Sequence, residues 1–343
     1  MSKRNTYFDF LRGLAILMVI GIHTFVSSGI TFDHFELSVL IRELLNVAVP
    51  LFLALSAYFL CNKPMANKDS IYAFWRAYIP KTYIPAILWS LPLFFLSLYS
   101  GEALLVSIIR LFACGYGVYY YVALIIQFYV LLPLFRRIRF FNWGRWLSIL
   151  LSSACVCLVT YLNTTRHLGL PLIVYAGPFV LWIVFYYLGG RLASVNREYS
   201  LVFPIIIAFL GVILSYLESQ YLVVHYQNGY GIKLSSFIFS YGMILVLFSK
   251  RLESKYKETI LSAVVEWFGR NSYIIYLMHF YFITISKKVL AWNSWPALWV
   301  IVVLSSVIVL TILVNLPKRI RFLLGVSEDD SIISSVYKRI EEK

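Results

Sequence analysis

Charged residues and cysteines are both scarce in this 343-residue chain: Asp, Glu, Lys and Arg make up 13% of it, and four residues are cysteine. Soluble domains have about 25% charged residues, so the low share argues against a water-soluble protein. Cys61, Cys114, Cys155 and Cys157 lack the spacing of a zinc site or a disulfide framework, and we predict no metal site. The chain also has no Walker-type phosphate loop and no GxSxG nucleophile elbow. These absences argue against a P-loop NTPase and against an α/β-hydrolase.

Long apolar stretches make up most of the chain. Hydrophobic residues make up 61% of the chain, and runs long enough to cross a hydrocarbon layer about 30 Å thick recur along it. We therefore predict an all-α fold, a polytopic membrane helical bundle with about ten transmembrane helices. Residues 1–325 would form one membrane domain, and residues 326–343 a short cytoplasmic tail. The predicted spans are 10–30, 44–61, 79–99, 118–135, 146–162, 172–190, 200–218, 231–249, 269–286 and 297–316.

The position of the basic residues decides what the formal net charge of +14 means. They concentrate in alternate loops between the predicted spans, as with Arg136, Arg137 and Arg139 after the fourth span. This positive-inside pattern orients a membrane protein with both termini in the cytoplasm. We accordingly expect membrane lipids, and no nucleic acid, as partners of the basic loops.

The first predicted span holds an arginine near its start and a histidine in its interior. Arg12 and His23 are eleven residues apart, so on an α-helix they lie within about 20° of each other and about 16 Å apart along the axis. If Arg12 lies at the inner headgroup boundary, His23 is near the bilayer midplane. An ionisable group at that depth faces protein or a water-filled cavity and marks a functional site by default. A histidine bonded to a neighbouring span is the alternative.

Four stretches resemble acyltransferase family 3, the integral membrane acyltransferases that include bacterial polysaccharide and lipopolysaccharide O-acetyltransferases. The first runs from Phe8 to His23 and holds the family's arginine and histidine with ten residues between them. The other three are similar to the family's second, fourth and ninth helices, in that order: Val49–Tyr58, Tyr119–Tyr129 and Gly269–His279. The second stretch has Ala57 where the family more often has glycine.

The resemblance implies acetyl-CoA, or another short acyl-CoA, as the donor and a hydroxyl of a cell-envelope glycan or lipid-linked sugar as the acceptor. It also implies a multi-pass O-acetyltransferase of the bacterial cytoplasmic (inner) membrane. The phosphates of coenzyme A need cations, and Arg12, Arg76, Lys81 and Arg270 lie near the predicted inner face. Positive-inside anchoring is the alternative role for these residues. The family often has two basic residues three apart in the third span, and here those positions hold Tyr78 and Lys81.

His23, Arg12 and Asp9 form the candidate catalytic group. His23 would meet the thioester at the end of the coenzyme A arm and, as general base, take the proton of the acceptor hydroxyl. General-base catalysis typically contributes ~10²–10⁴ in rate, and an acyl-histidine relay is the alternative. Asp9 lies three residues before Arg12, so it can pair with the guanidinium on one helix face or act as an ordinary helix-start carboxylate.

Five further residues are candidates for binding or supporting the substrate. His279 shares a helical face with Tyr276 and Ser272, where it could orient substrate or supply a hydrogen-bond donor in the transition state. A packed, hydrogen-bonded histidine is the alternative. Gln127 and Tyr129 in the fourth span are similar cases, because polar groups in membrane helices often bond neighbouring helices.

A transporter or flippase for a glycan or lipid-linked sugar is the alternative function from a different class. Carriers also bury ionisable residues along their transport pathways. The sequence has no evident inverted repeat and no matched pair of broken helices, so the enzymatic hypothesis is favoured.

Overall fold

A computed structural model describes residues 5–28, 37–65, 67–226, 231–290, 294–326 and 332–341. Within these ranges the secondary structure is helical and contains no β-strand, which confirms the predicted all-α fold. The α-helices, in chain order, are α1 (Thr6–Ser28), α2 (Leu37–Leu44), α3 (Ala48–Leu60), α4 (Lys68–Tyr99), α5 (Leu104–Phe112), α6 (Tyr120–Ile138), α7 (Asn142–Thr160), α8 (Leu172–Tyr175), α9 (Phe179–Leu192), α10 (Val202–Tyr226), α11 (Leu234–Leu247), α12 (Lys250–Lys255), α13 (Ile260–Arg270), α14 (Ser272–Leu290), α15 (Trp295–Leu313), α16 (Lys318–Leu324) and α17 (Ile332–Glu341).

Every predicted span overlaps one of these helices. Among the described residues, seven helical stretches are long and apolar enough to cross a membrane: Thr6–Ser28, Leu37–Leu60, Lys68–Tyr99, Gly117–Ile138, Asn142–Thr165, Val202–Tyr226 and Trp295–Leu313. The other three predicted spans correspond to α9, α11 and α14. Because α9 and α11 have 14 residues each, they are about 21 Å long, less than the hydrocarbon thickness of about 30 Å. The multi-pass prediction is confirmed, and the count of ten spans stays a prediction.

Several span boundaries differ from the prediction. The third span begins at Lys68 rather than at residue 79, because the Asn67 side chain caps the helix by accepting from the Ser70 amide. The predicted span 172–190 is interrupted between α8 and α9. Pro178 explains the interruption, since it lacks an N–H and restricts the residue before it. The last two residues of the predicted span 10–30 lie outside the described residues.

The chain divides into two compact units, which consist of Met1–Leu55, Asn196–Pro317 and Val326–Lys343, and of Ser56–Val195 and Lys318–Gly325. In the first unit the most extensive helix contacts are α10 with α11 and α1 with α13. In the second unit they are α7 with α9. The predicted tail 326–343 is described in part, and its helix α17 packs on α13.

Candidate active site

The helix α1 carries Arg12 and His23 without interruption, as the predicted span 10–30 requires. The Asp9 carboxylate is buried, and it lies 3.1 Å from the Nη1 atom of Arg12. About a third of the Arg12 side chain remains exposed. The predicted pairing of Asp9 with Arg12 is therefore present, and it fixes the guanidinium near the start of α1.

Two glycines allow α1 to pack directly on α13. A Cβ atom on Gly13 would lie 1.9 Å from the carbonyl oxygen of Val265, and one on Gly269 would lie 1.8 Å from the carbonyl oxygen of Asp9. A side chain at either position would clash, so glycine is what permits this backbone contact. Because the contact includes the backbone of Asp9, it holds the turn of α1 that carries the Asp9–Arg12 pair.

His23 lies beside His279 of α14. Their ring centroids are 5.2 Å apart, and the ring planes are inclined by 40°. His279 is fully buried, and His23 is partly buried. The structure therefore brings together two histidines from the first and last of the four stretches that resemble the family.

The hydrogen bond of His279 fixes its tautomer. Its Nδ1 atom lies 2.6 Å from the carbonyl oxygen of Tyr276, and a carbonyl can only accept, so Nδ1 carries the proton. In the neutral ring Nε2 then bears a lone pair, and this buried atom has no hydrogen-bond partner among the described residues. A lone pair at Nε2 suits accepting a hydrogen bond, rather than donating one to an oxyanion as the sequence suggested.

The other predicted residues of α14 differ in their distance from this histidine pair. The Tyr276 ring lies 5.7 Å from the His279 ring between centroids. Ser272 is the first residue of α14, seven residues and about 10 Å along the axis before His279. Tyr276 is therefore part of the immediate surroundings of His279, and Ser272 is at the end of the helix.

Arg270, the last residue of α13, contacts the C-terminal helix. Its Nη2 atom donates to the Ser335 hydroxyl of α17 at 2.7 Å, and its Nη1 atom is 3.9 Å from the Glu266 carboxylate. Arg339 of α17 donates to the same buried carboxylate at 2.8 Å and also pairs with Glu258. Arg270, which the sequence predicts to bind the donor, is thus hydrogen-bonded to the C-terminal helix α17.

The remaining predicted residues lie in the second unit. The Gln127 amide bonds both sides of the interruption between α8 and α9: Nε2 donates to the Gly177 carbonyl at 2.9 Å, and Oε1 accepts from the Phe179 amide at 3.1 Å. These two bonds support the helix-bonding alternative for Gln127. The Tyr129 ring packs edge-on against Tyr78, with centroids 6.0 Å apart.

Arg76 and Lys81 are exposed cations on α4. The Arg76 guanidinium lies 5.9 Å from the centre of the Tyr72 ring. Lys81 has an electrostatic interaction with Lys63, whose Nζ atom donates to the Tyr78 hydroxyl. These three basic residues and Lys68 therefore lie in the first part of this unit, and the positions that would hold the family's cation pair include Tyr78.

A buried ion pair that the sequence interpretation missed connects α2 with the residue before α11. Glu43 and Lys233 are almost completely buried, and the Lys233 Nζ atom lies 2.5 Å from the Glu43 carboxylate. Ser215 and Ser219 of α10 also donate to this carboxylate. The sequence contained a signal for the pair, because Lys233 falls inside the predicted span 231–249, and a lysine within a membrane helix requires a partner.

A family model described as an acyltransferase domain matches residues 5–315, nearly the whole chain. No curated protein and no solved structure matches the chain. The matched residues include both helices of the His23–His279 pair, and no group of His, Cys, Asp and Glu suited to a metal ion occurs in the part of the chain that is described. The chain therefore belongs to acyltransferase family 3, and it is a multi-pass membrane acyltransferase.

Proposed function

We propose that this protein transfers an acetyl group from cytoplasmic acetyl-CoA to a hydroxyl of a cell-envelope glycan or lipid-linked sugar in the bacterial inner membrane. The observation that carries the proposal is the contact of His23 with the buried His279, whose Nε2 atom has no hydrogen-bond partner within the described residues. Membership of the family supports acyl transfer, and the placement of His23 on an apolar helix supports chemistry within the membrane.

His23 acts as the general base in this mechanism. It takes the hydroxyl proton as the acceptor oxygen attacks the thioester carbonyl carbon. A C–O bond forms, the tetrahedral intermediate collapses by C–S cleavage, and His23 returns the proton to the leaving thiolate. The Nε2 lone pair of His279 accepts a hydrogen bond from the N–H of the His23 ring, which leaves the other nitrogen of His23 to take the proton of the acceptor hydroxyl.

Arg12 is the cation best placed to bind a phosphate of the donor. Its guanidinium is partly exposed and is held by Asp9 at 3.1 Å, so it is preorganised for a charge-assisted hydrogen bond. Arg76 and Lys81, which are exposed on α4, are further donor-binding candidates. Arg270 could also bind a donor phosphate once its hydrogen bond to Ser335 of α17 is broken.

Purified full-length protein in nanodiscs, supplied with labelled acetyl-CoA and lipid-linked glycans extracted from the native envelope, tests the proposal. We expect release of free coenzyme A with label in the glycan. His23→Ala should abolish both, and His279→Ala should reduce both strongly. His225→Ala is the matched control, because His225 is exposed on α10 and should leave activity unchanged.

Three other results would change the proposed function or its mechanism. Full activity in a well-folded His23→Ala protein would rule out His23 as the general base. Sugar translocation without thiol release would favour a transporter or flippase over an acyltransferase mechanism for this site. Acid-quenched protein that retains hydroxylamine-sensitive label at His23 would indicate the acyl-histidine relay instead of direct attack.

A further inference from the structure

A cavity of about 370 Å³ in the second unit lies between the start of α4 and the end of α6. Three basic residues line it: Lys68, the first residue of α4, and Arg136 and Arg137, near the end of α6. Among the described residues no acidic side chain lines it. The cavity is therefore positively charged, and its volume falls within the range of ~300–1,000 Å³ that ligand sites occupy.

Two of the three cations are available to a ligand. The Arg136 guanidinium donates to the main-chain carbonyl of Cys61 at 3.2 Å and to that of Met65 at 3.0 Å. Lys68 and Arg137 are exposed, and neither forms an ion pair with any residue that the structure describes. Arg136 therefore shapes the cavity, whereas Lys68 and Arg137 present it with two positive charges that attract an anion.

A hydrogen bond between α4 and α6 fixes the walls of the cavity. Pro133 lacks an N–H, so the Tyr129 carbonyl four residues earlier lacks its usual donor within α6. The indole Nε1 atom of Trp75 on α4 donates to that carbonyl at 2.9 Å. Ile71, about one turn before Trp75, lines the cavity together with Pro133. The two helix segments that carry the cations are therefore held at a fixed separation.

An exposed apolar stripe of α6 leads to the cavity. Val130 and Leu134 have 46% and 52% of their surface exposed, and with Arg137 they follow the i, i+4, i+7 spacing of one helix face. The helices α4 and α6 belong to stretches long and apolar enough to cross a membrane, and most of the apolar part of α4 is exposed as well. Such a surface, apolar along the helix and cationic at its end, is complementary to a phospholipid with a negative headgroup.

We propose that this cavity binds the phosphate of an anionic phospholipid headgroup through Lys68 and Arg137, with an acyl chain along Val130 and Leu134. The phosphate oxygens accept charge-assisted hydrogen bonds from both cations. Basic pockets between transmembrane helices on the cytoplasmic side suit such headgroups, and the positive-inside pattern predicts that this end of α4 and α6 is cytoplasmic. Lipid binding at this site does not require acyl transfer, so it is independent of the proposed function.

Titration of the purified full-length protein with phosphatidylglycerol in a neutral detergent, followed by native mass spectrometry, tests the proposal. Phosphatidylcholine with the same acyl chains is the control lipid, and it should bind more weakly. A cation beside an anionic headgroup contributes about fivefold in affinity, so Lys68→Gln/Arg137→Gln should weaken binding of phosphatidylglycerol about 25-fold. Lys318→Gln/Arg319→Gln is the matched control, because it removes the same residue types from exposed positions of the same unit outside the cavity.

Three results would overturn the proposal. Equal affinity of the wild type for the two lipids is the first, and wild-type affinity of the Lys68→Gln/Arg137→Gln protein for phosphatidylglycerol is the second. If that double variant does not fold, Arg137→Gln alone decides, with an expected loss of about fivefold. An equimolar amount of coenzyme A or inorganic phosphate should not displace the lipid, and displacement by either is the third, because it would assign the cavity to a soluble phosphate.

Discussion

Alanine at position 269 should force α1 and α13 apart. Its Cβ atom would lie 1.8 Å from the Asp9 carbonyl oxygen, whereas ordinary contacts begin at 3.4 Å, so one backbone must move by roughly 1.6 Å. The obstacle is a main-chain carbonyl, which cannot rotate away as a flexible side chain can. Overpacking of this kind typically costs about 1–3 kcal/mol, and occasionally more. At about 2–4 °C per kcal/mol, we expect the unfolding temperature of Gly269→Ala to fall by several degrees.

The displaced segment carries Asp9 and Arg12, so the same variant should also weaken binding of acetyl-CoA. Thermal unfolding in detergent measures the first effect, and KM for acetyl-CoA measures the second. Gly115→Ala is the control, because its nearest neighbours, atoms of Arg110, lie 3.4 Å away. If Gly269→Ala unfolds at the wild-type temperature and keeps the wild-type KM, the close approach of α1 and α13 is refuted.

Three further predictions concern support of the fold. Arg339→Ala should lower the free energy of unfolding by about 1–3 kcal/mol, because it leaves the buried Glu266 carboxylate short of a donor; exposed Tyr337→Ala should not. Gln127→Leu leaves two backbone groups at the interruption of α8 and α9 unpaired, so thermal unfolding should show a loss of about 1–3 kcal/mol for each group, and a neutral result would contradict the bonding role. Burial, and then Lys81, lower the pKa of Lys63 below its ordinary 10.5, so the unfolded state binds more protons and stability should rise with pH up to that value; Lys63→Met should show a smaller rise in unfolding temperature between pH 8 and 10.

The helices and their order followed from apolar length, because that property is local. The apolar run that holds Arg12 and His23 predicted one uninterrupted helix, and α1 is that helix. The pairing of Asp9 with Arg12 was equally accessible, since both residues lie within one helical turn. The interruption of the span 172–190 could have been found as well, because Pro178 follows Gly177 in the printed sequence.

The partners of buried side chains could not be predicted in the same way. His279 and His23 are brought together by the packing of α14 on α1, which no local periodicity encodes. The contact of Arg270 with Ser335 depends on the docking of a tail helix that lies beyond the family match. In both cases the residue type marked a candidate in the sequence, and its neighbour could be identified only from the tertiary structure.

The degree to which buried polar groups are satisfied differs between the Glu43 network and His279 in the first unit. Burying a polar atom without a partner costs free energy, so a fold selected for stability alone would complete every network, as the donors around Glu43 do. Within the described residues the Nε2 atom of His279 departs from that rule, as the Asn271 side-chain oxygen also does, and Nε2 lies beside a second imidazole. A saturated carboxylate cannot accept from a further donor, whereas an unused lone pair next to His23 can. In the proposed mechanism the N–H of His23 donates to that lone pair during the reaction, and this hydrogen bond offsets the cost of leaving it unpaired.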